Sequence, residues 1–139
     1  MATDGAGGNE LLLKITSGSF QTHLNGAQVT ATGMSTLNVG SWHHIASTRS
    51  GSTVTTYLNG HAITTGSDGT ALSFSTCQLL IGADADASCV GSLGQYFDGL
   101  IDDVRIYNYA LSPSQIQRIM VGGSPTGSTA HFGPETGSP

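Results

Sequence analysis

Charged residues are scarce in this sequence, and basic residues are the rarest of them. Asp, Glu, Lys and Arg make up 9% of its 139 residues, against roughly 25% in an average soluble domain. The basic residues are scattered along the chain at Lys14, Arg49, Arg105 and Arg118. Because a phosphate backbone or an anionic lipid surface attracts clustered basic side chains, we expect no nucleic-acid partner. The many Gly, Ser and Thr residues favour a β-rich extracellular module.

Long hydrophobic runs are missing as well. No apolar stretch approaches the roughly 18–20 residues that cross a bilayer, so we expect no insertion into a membrane. The opening residues, MATDGAGGNE, lack the basic and apolar regions of a signal peptide. The composition described above leads us to expect an extracellular or cell-surface protein, with no signal peptide in this chain.

Cysteine occurs twice, at Cys77 and Cys89, and no CxxC metal or redox motif is present. A disulfide between the two would close a short loop and stabilise the fold by about 3 kcal/mol. The alternative is a pair of unpaired, small apolar side chains, which carries equal weight unless the protein is exported.

Alternating apolar residues and glycine-containing turns recur at short spacing. They predict an all-β fold, an antiparallel sandwich or jelly roll. The turns Asn25-Gly26 and Asn59-Gly60 are strong hairpin signals, and their flanks match, since SFQTHLNGAQVTATG resembles TVTTYLNGHAITTG. We interpret these as two similar hairpins. The predicted strands are Leu11–Thr16, Ser19–Leu24, Ala27–Thr32, Trp42–Ser50, Thr53–Leu58, His61–Thr65, Ala71–Ser75, Cys77–Gly82 and Gly99–Asn108.

A single helix is predicted in LSPSQIQRIM. Ser112 caps it, Pro113 takes the first helical position, and Gln115 completes a capping box. The glycine pair at 122–123 ends it. We expect one domain over residues 9–122, followed by a flexible tail rich in Gly, Pro, Ser and Thr over residues 123–139.

Four motifs between Trp42 and Met120 carry a family resemblance: WHHIASTRSG, TVTTYLNG, LLIGAD and FDGLIDDVRIYNYALSPSQI. In order and spacing they resemble the laminin-G-like domains of the concanavalin A-like lectin/glucanase superfamily. The resemblance implies an antiparallel jelly-roll sandwich with one short C-terminal helix. Relatives usually carry further strands before these motifs, and we expect this chain to lack them. An exposed edge strand is then expected, and with it a homodimer.

Alternation along GLIDDVRIYN divides the closing strand into two faces. The face expected to meet the core carries Leu100, Asp102, Val104 and Ile106. The other face includes Asp103 and Arg105, which we expect to form an exposed ion pair. A buried carboxylate needs a partner, and many members of the family bind a structural Ca²⁺ at the matching aspartate. The resemblance thus implies Asp102 as a calcium ligand, with Asp98 as a second. The alternative is that Asp98 makes a turn contact and Asp102 accepts loop N–H groups.

Aromatic residues make up only 6% of the chain, so no dense carbohydrate platform is expected. The candidate ligand-binding residues are Tyr57, Tyr96, Tyr107 and His43. Tyr57 lies out of phase with Val54 and is expected on a solvent face, whereas Trp42 is expected in the core. Adjacent strand residues point to opposite faces, which makes a zinc site at His43 and His44 a poor hypothesis.

The function predicted from the sequence is non-catalytic binding of carbohydrate or a cell-surface glycan. The alternative is a structural or adhesive module that self-associates through an exposed edge strand. A glycoside hydrolase comes third, because a retaining glycosidase needs two carboxyl groups about 5–5.5 Å apart. The two glutamates, Glu10 and Glu135, lie near opposite ends of the sequence. The GxSxG motif of serine hydrolases does not occur either.

Overall fold

The computed structural model describes residues 11–16, 19–24, 27–30, 37–38, 40–67, 69, 80–85, 93–94, 96–124 and 129–131. Within these ranges the chain forms ten strands and one helix. They are β1 (Leu11–Thr16), β2 (Ser19–Leu24), β3 (Ala27–Thr30), β4 (Ile45–Ser50), β5 (Thr53–Leu58), β6 (His61–Ser67), β7 (Asp84–Ala85), β8 (Leu93–Gly94), β9 (Arg105–Tyr107), α1 (Pro113–Met120) and β10 (Thr129–His131).

Two three-stranded antiparallel sheets contain most of the strand residues that the structure describes. In one, β2 lies between β1 and β3, and in the other, β5 lies between β4 and β6. Two further antiparallel pairs are β7 with β8 and β9 with β10. The predicted all-β, antiparallel architecture with one short helix is thereby confirmed, and the bounds predicted for β1, β2 and β5 match the structure.

The two sheets meet through their central strands. The hydroxyl oxygens of Thr22 in β2 and Thr56 in β5 lie 3.0 Å apart and are hydrogen-bonded. Phe20 and Val54, two residues earlier in the same strands, are completely buried, as are both threonines. Since the side chains of two central strands touch only when their sheets stack face to face, this contact defines the interior of the sandwich.

The other face of β5 is also covered. Adjacent strand residues point to opposite faces, so Tyr57 lies on the side away from Thr56. There it is only 3% exposed and packs against Leu111, Ile116 and Ile119. The prediction that Tyr57 faces solvent is wrong, because the end of the chain returns as α1 and covers that face. The described part of the fold therefore has three layers: sheet, sheet and helix.

Helix α1 begins as the sequence predicts. The Ser112 hydroxyl accepts a hydrogen bond from the Gln115 N–H, and the Gln115 side-chain oxygen accepts one from the Ser112 N–H. This reciprocal pair is the predicted capping box, with Pro113 at the start of the helix. The first turn is thus stabilised before any packing on the sheet is considered.

The turn between β5 and β6 connects the second sheet to α1. Asn59 and Gly60 both have positive φ angles, +48° and +76°, as a two-residue hairpin of this kind requires. A side chain at Gly60 would lie 3.2 Å from Cγ of Gln117 and 3.3 Å from Sδ of Met120. Gly60 is therefore needed both for the turn and for the close approach of the helix. The matching prediction at Asn25-Gly26 lies outside the described residues.

The closing strand differs from its prediction. Only Arg105–Tyr107 of the expected Gly99–Asn108 is extended, because Asp103 has a left-handed backbone (φ +53°) that breaks the alternation. The face expected to meet the core is exposed: Leu100 is 79% exposed, and Ile106 is exposed as well. The core lies on the opposite side, towards α1. Trp42, expected in the core, is 67% exposed.

Strand β10 lies within the segment that was expected to be a flexible tail. Residues Thr129–His131 pair with β9 in the register Thr129 to Tyr107 and His131 to Arg105. A strand of three residues is too short to be predicted from its composition. It forms because the edge of β9 offers backbone N–H and C=O groups with which it can pair. The predicted strand Ala71–Ser75 lies outside the described residues.

The buried threonine pair gives a test of how the sheets are joined. Thr22→Val alone leaves the Thr56 hydroxyl buried without its partner, and we expect it to cost about 1–3 kcal/mol of unfolding free energy. Adding Thr56→Val removes the second hydroxyl and should restore much of that loss. Urea unfolding of the two single variants and the double variant measures this. If the two single costs simply add, the hydrogen bond does not join the sheets.

Candidate functional site

The segment 96–103, which precedes β9, is the most exposed part of the described chain and is called here the 96–103 loop. Every residue in it is exposed. It is fixed at its start, where the Phe97 N–H donates to the Gly82 carbonyl oxygen at 2.8 Å. The loop thus rests on residues 81–82 and presents its side chains to solvent.

An aromatic ring shapes the middle of the loop. A Cβ atom added to Gly99 would come within 2.8 Å of Cε1 of Phe97, a distance that real Cβ atoms do not tolerate. The Phe97 ring therefore folds back over the Gly99 backbone, and a side chain at residue 99 would displace it. The same packing leaves Phe97 43% exposed and its neighbour Tyr96 70% exposed.

Several apolar side chains adjoin these rings. Leu100 and Ile101 follow in the loop, and Ile101 reaches Gly82, where an added Cβ would lie 3.8 Å from Cδ1 of Ile101. Ile81, next to Gly82, is also exposed. The result is an apolar surface with two aromatic rings at one end of the described fold.

The end of the loop is held by an ion pair. The Arg105 Nε–H donates to the Asp103 carboxylate at 2.7 Å, which confirms the predicted pairing. Nη1 of the same guanidinium donates to the Gly123 carbonyl oxygen at 3.2 Å, just beyond α1. The hydrogen bond that Arg105 donates to Asp103 is the main reason that the pKa of Arg105 is raised. Asp103 is half exposed, and an exposed ion pair adds little to the free energy of unfolding. The pair therefore serves mainly to hold the end of the loop in place.

Asp102 does not face the core, contrary to the prediction. It is exposed, and its carboxylate accepts the Asp103 N–H at 2.7 Å. This is close to the alternative expected from the sequence, in which Asp102 accepts a loop N–H group. Asp98 is exposed on the same loop. Among the described residues, no three His, Cys, Asp or Glu side chains form a group that would hold a metal. The geometry therefore does not supply a calcium site, and Ca²⁺ at Asp102 and Asp98 stays a prediction.

His43 and His44 lie half-buried before β4. Nε2–H of His43 donates to the Asn38 carbonyl oxygen at 3.2 Å. The backbone of His44 exchanges two hydrogen bonds with Asn59: its N–H donates to Oδ1 at 3.0 Å, and its carbonyl accepts the Asn59 N–H at 2.8 Å. In both rings Nδ1 is buried with no hydrogen-bond partner in the described part of the chain. The His44 ring therefore favours its neutral form.

Burial lowers the pKa of His44, an effect opposed by the nearby Asp103 charge and supported by Arg105. These two charged residues belong to the ion pair at the end of the 96–103 loop. The backbone of His44 thus contacts the Asn59 turn, while its ring is influenced electrostatically by the Asp103–Arg105 pair.

The structure separates the predicted ligand-binding residues. Tyr96 is exposed on the 96–103 loop, together with Asp98 and Asp102, whereas Tyr57 is buried. Tyr107 is half-buried in an edge-to-face contact with Tyr109, at 6.1 Å between ring centroids, and both pack against the core. His43 is half-buried too. Cys77 and Cys89 lie outside the described residues, so their pairing stays a prediction.

Sequence reasoning placed Leu100 on the core face and made no prediction for Phe97, and both are exposed. Apolar residues in an alternating pattern are ordinarily assigned to a core, and the turn at Asp103 that interrupts the pattern has no glycine to mark it. The sequence signal for a loop here is the glycine of FDG, because glycine favours turns.

Comparison with known proteins identifies the fold family. A family model, Laminin_G_3, described as the concanavalin A-like lectin/glucanases superfamily, matches residues 1–117. The chain belongs to this family. The resemblance inferred from the four motifs is confirmed, and the match reaches upstream of Trp42 to cover the first sheet as well. The family relation indicates a binding module, in a superfamily that also includes glucanases.

One solved structure is similar to the chain. It is the crystal structure of an S-layer domain-containing protein from Clostridium thermocellum ATCC 27405, at 28% sequence identity and a TM-score of 0.47. The similarity covers 86% of this chain and 66% of that one, so the chain spans just under two thirds of its length. No curated protein sequence matches the chain significantly. In the described residues, no helix has the length and apolar character needed to cross a membrane.

The lowered pKa of His44 predicts a pH dependence of stability. The unfolded chain takes up this proton near pH 6.5 while the folded chain resists it, so stability should fall as the pH drops from about 6.5 towards the lowered folded pKa. The His44→Gln variant should show a smaller fall in unfolding free energy over this pH range. Urea unfolding at about pH 7.5 and about pH 5.5 measures it.

The control for this experiment is His61→Gln, which changes an exposed histidine. It should keep the fall in stability shown by the unmodified chain. If His44→Gln and the unmodified chain lose the same stability between the two pH values, burial of the His44 ring does not govern its protonation.

Proposed function

We propose that this domain is a non-catalytic binding module whose ligand is a carbohydrate, presented as a glycan on a surface. The observation that carries the proposal is the exposed ring of Tyr96, two residues from the exposed carboxylate of Asp98, on a loop fixed at both ends. Binding residues are commonly found on loops that a rigid scaffold positions.

The chemistry of the loop suits a sugar. A pyranose ring has an apolar C–H face, which stacks on an aromatic side chain, and a rim of hydroxyl groups, which donate hydrogen bonds to a carboxylate. Tyr96 supplies the ring and Asp98 the acceptor. Because the chain carries a net charge of −5, neutral glycans are favoured over acidic ones.

The absence of catalysis is part of the proposal. Of the aspartates on the 96–103 loop, Asp103 is engaged by the Arg105 guanidinium at 2.7 Å. Glu10 and Glu135, the two glutamates, lie near opposite ends of the sequence. The residues of the loop thus favour binding over glycosidic bond cleavage.

An extracellular or cell-surface setting is part of the same proposal. It is supported by the low charge content of 9% and by the many Gly, Ser and Thr residues. A surface-exposed module would meet glycans there, and a disulfide between Cys77 and Cys89 would be stable in that compartment.

Glycan binding is tested by substitution at Tyr96. Tyr96→Ala removes the stacking surface and should weaken binding of a neutral glycan at least about tenfold, since about 1.4 kcal/mol corresponds to a factor of ten. Tyr96→Phe keeps the ring and should bind nearly as well as the unmodified chain. A neutral-glycan array identifies the ligand, and titration calorimetry then compares the variants. Equal affinity of the alanine variant would place the ligand elsewhere.

The calcium proposal rests on the family resemblance and is tested separately. It predicts that saturating Ca²⁺ raises the melting temperature above that measured in EDTA, because a ligand at a hundredfold excess over its Kd stabilises by about 2.7 kcal/mol. Asp102→Asn should abolish the increase. Asp84→Asn, which changes an aspartate outside the 96–103 loop, is the control. An unchanged melting temperature of the unmodified chain would rule the ion out.

A further inference from the structure

The two three-stranded sheets repeat with a fixed offset along the chain. Strand β1 starts at Leu11 and β4 at Ile45, strand β2 at Ser19 and β5 at Thr53, and strand β3 at Ala27 and β6 at His61. Each pair is separated by the same 34 positions. The ends of the first two pairs share this offset as well: Thr16 with Ser50, and Leu24 with Leu58. The chain therefore contains one three-stranded unit twice.

The strand registers repeat in the same way. The β1–β2 pairing joins Leu11 to Leu24 and Thr16 to Ser19, and the β4–β5 pairing joins Ile45 to Leu58 and Ser50 to Thr53. The next hairpin pairs Leu24 with Ala27 in the first unit and Leu58 with His61 in the second. The agreement ends at a register shift between Thr56 and Tyr57, where β6 carries one more residue than the equivalent β2–β3 pairing.

Equivalent residues of the two units also meet. Thr22 and Thr56 are 34 positions apart, and their hydroxyl groups share the buried hydrogen bond between the sheets. Phe20 and Val54, which differ by the same offset, are both fully buried. A contact between equivalent positions is the mark of an isologous interface, the kind that a twofold axis creates between two identical subunits.

We propose that this interface also forms between two chains, so that the first unit (β1–β3) of one chain packs on the second unit (β4–β6) of a second copy of this chain. The partner is thus the same protein, and the dimer arises by exchange of a unit rather than by contact of free strand edges. The proposal does not depend on the glycan site.

The connection between the units permits the exchange. Within each unit the strands are joined by connections of two residues, as between Leu24 and Ala27, whereas residues 31–44 join the units. An extended chain gains about 3.3–3.6 Å per residue, so this connection can reach more than about 40 Å. Exchange of an identical element is a low-cost route to a dimer, because no new surface has to be created.

The second unit stays with the rest of its own chain. The face of β5 opposite Thr56 is covered by α1 through Tyr57 and Ile116, and the Gly60 turn packs on the same helix. The β1–β3 unit is therefore the element that moves, and each half of the dimer keeps the 96–103 loop unchanged.

Cross-linking between chains tests the proposal. One chain carries Thr22→Cys and a second, of different mass, carries Thr56→Cys, both with Cys77→Ser and Cys89→Ser. The two are unfolded, mixed, refolded together at high concentration and oxidised. We expect a disulfide-linked heterodimer on a non-reducing gel, in clear excess over that from a control mixture of Thr22→Cys with Thr55→Cys, because Thr55 lies on the opposite face of β5.

Light scattering of the unmodified chain is a second measurement, which does not depend on the cysteine and serine substitutions. After refolding at increasing protein concentration, the dimer fraction should rise. A monomer at every concentration would overturn the proposal. Equal cross-linking in the two mixtures would also overturn it. A chain that carries both Thr22→Cys and Thr56→Cys gives a further check: a disulfide that forms only within that chain would overturn the proposal as well.

Discussion

The contact between Thr22 and Thr56 is the constraint on which the described fold depends. Their hydrogen bond fixes β2 over β5, and with it the relative position of the two sheets. Once Thr56 is turned towards the first sheet, alternation turns Tyr57 the other way, where α1 must cover it. The helix in turn sets how closely the Gly60 turn approaches and where Gly123 lies. Gly123 accepts a hydrogen bond from the guanidinium that holds the 96–103 loop.

The sequence predicts this architecture well where a local rule acts alone. The bounds of β1, β2 and β5 follow from alternation between short turns, and the start of α1 follows from Ser112, Pro113 and Gln115. It fails at Tyr57 for a physical reason: alternation tells which face a side chain is on, but not what will cover that face. It fails at Leu100 because Asp103 adopts a left-handed backbone without the glycine that usually marks one.

The candidate site was predicted only in part for the same reason. Tyr96 is predicted as a ligand-binding residue and Asp98 as a second calcium ligand, and both are exposed. Asp102 was assigned to the core face of a strand, but the strand begins only at Arg105. The apolar surface of the loop was not foreseen, because it depends on Phe97 folding over Gly99, a contact that no sequence period encodes. The similarity of the two Asn-Gly hairpins was visible, whereas its extension to β1 and β4 shows only in the shared registers.

Trp42 is the only tryptophan of the chain, and its side chain is largely in solvent. The indole already sits in water when the protein is folded, so its emission carries little information about the packed interior. Among the residues that the structure describes, the buried aromatic groups are Phe20, between the two sheets, and Tyr57, between β5 and α1. Circular dichroism of the tyrosines and the exchange of backbone amides therefore follow the interior of this molecule, while tryptophan fluorescence follows its surface.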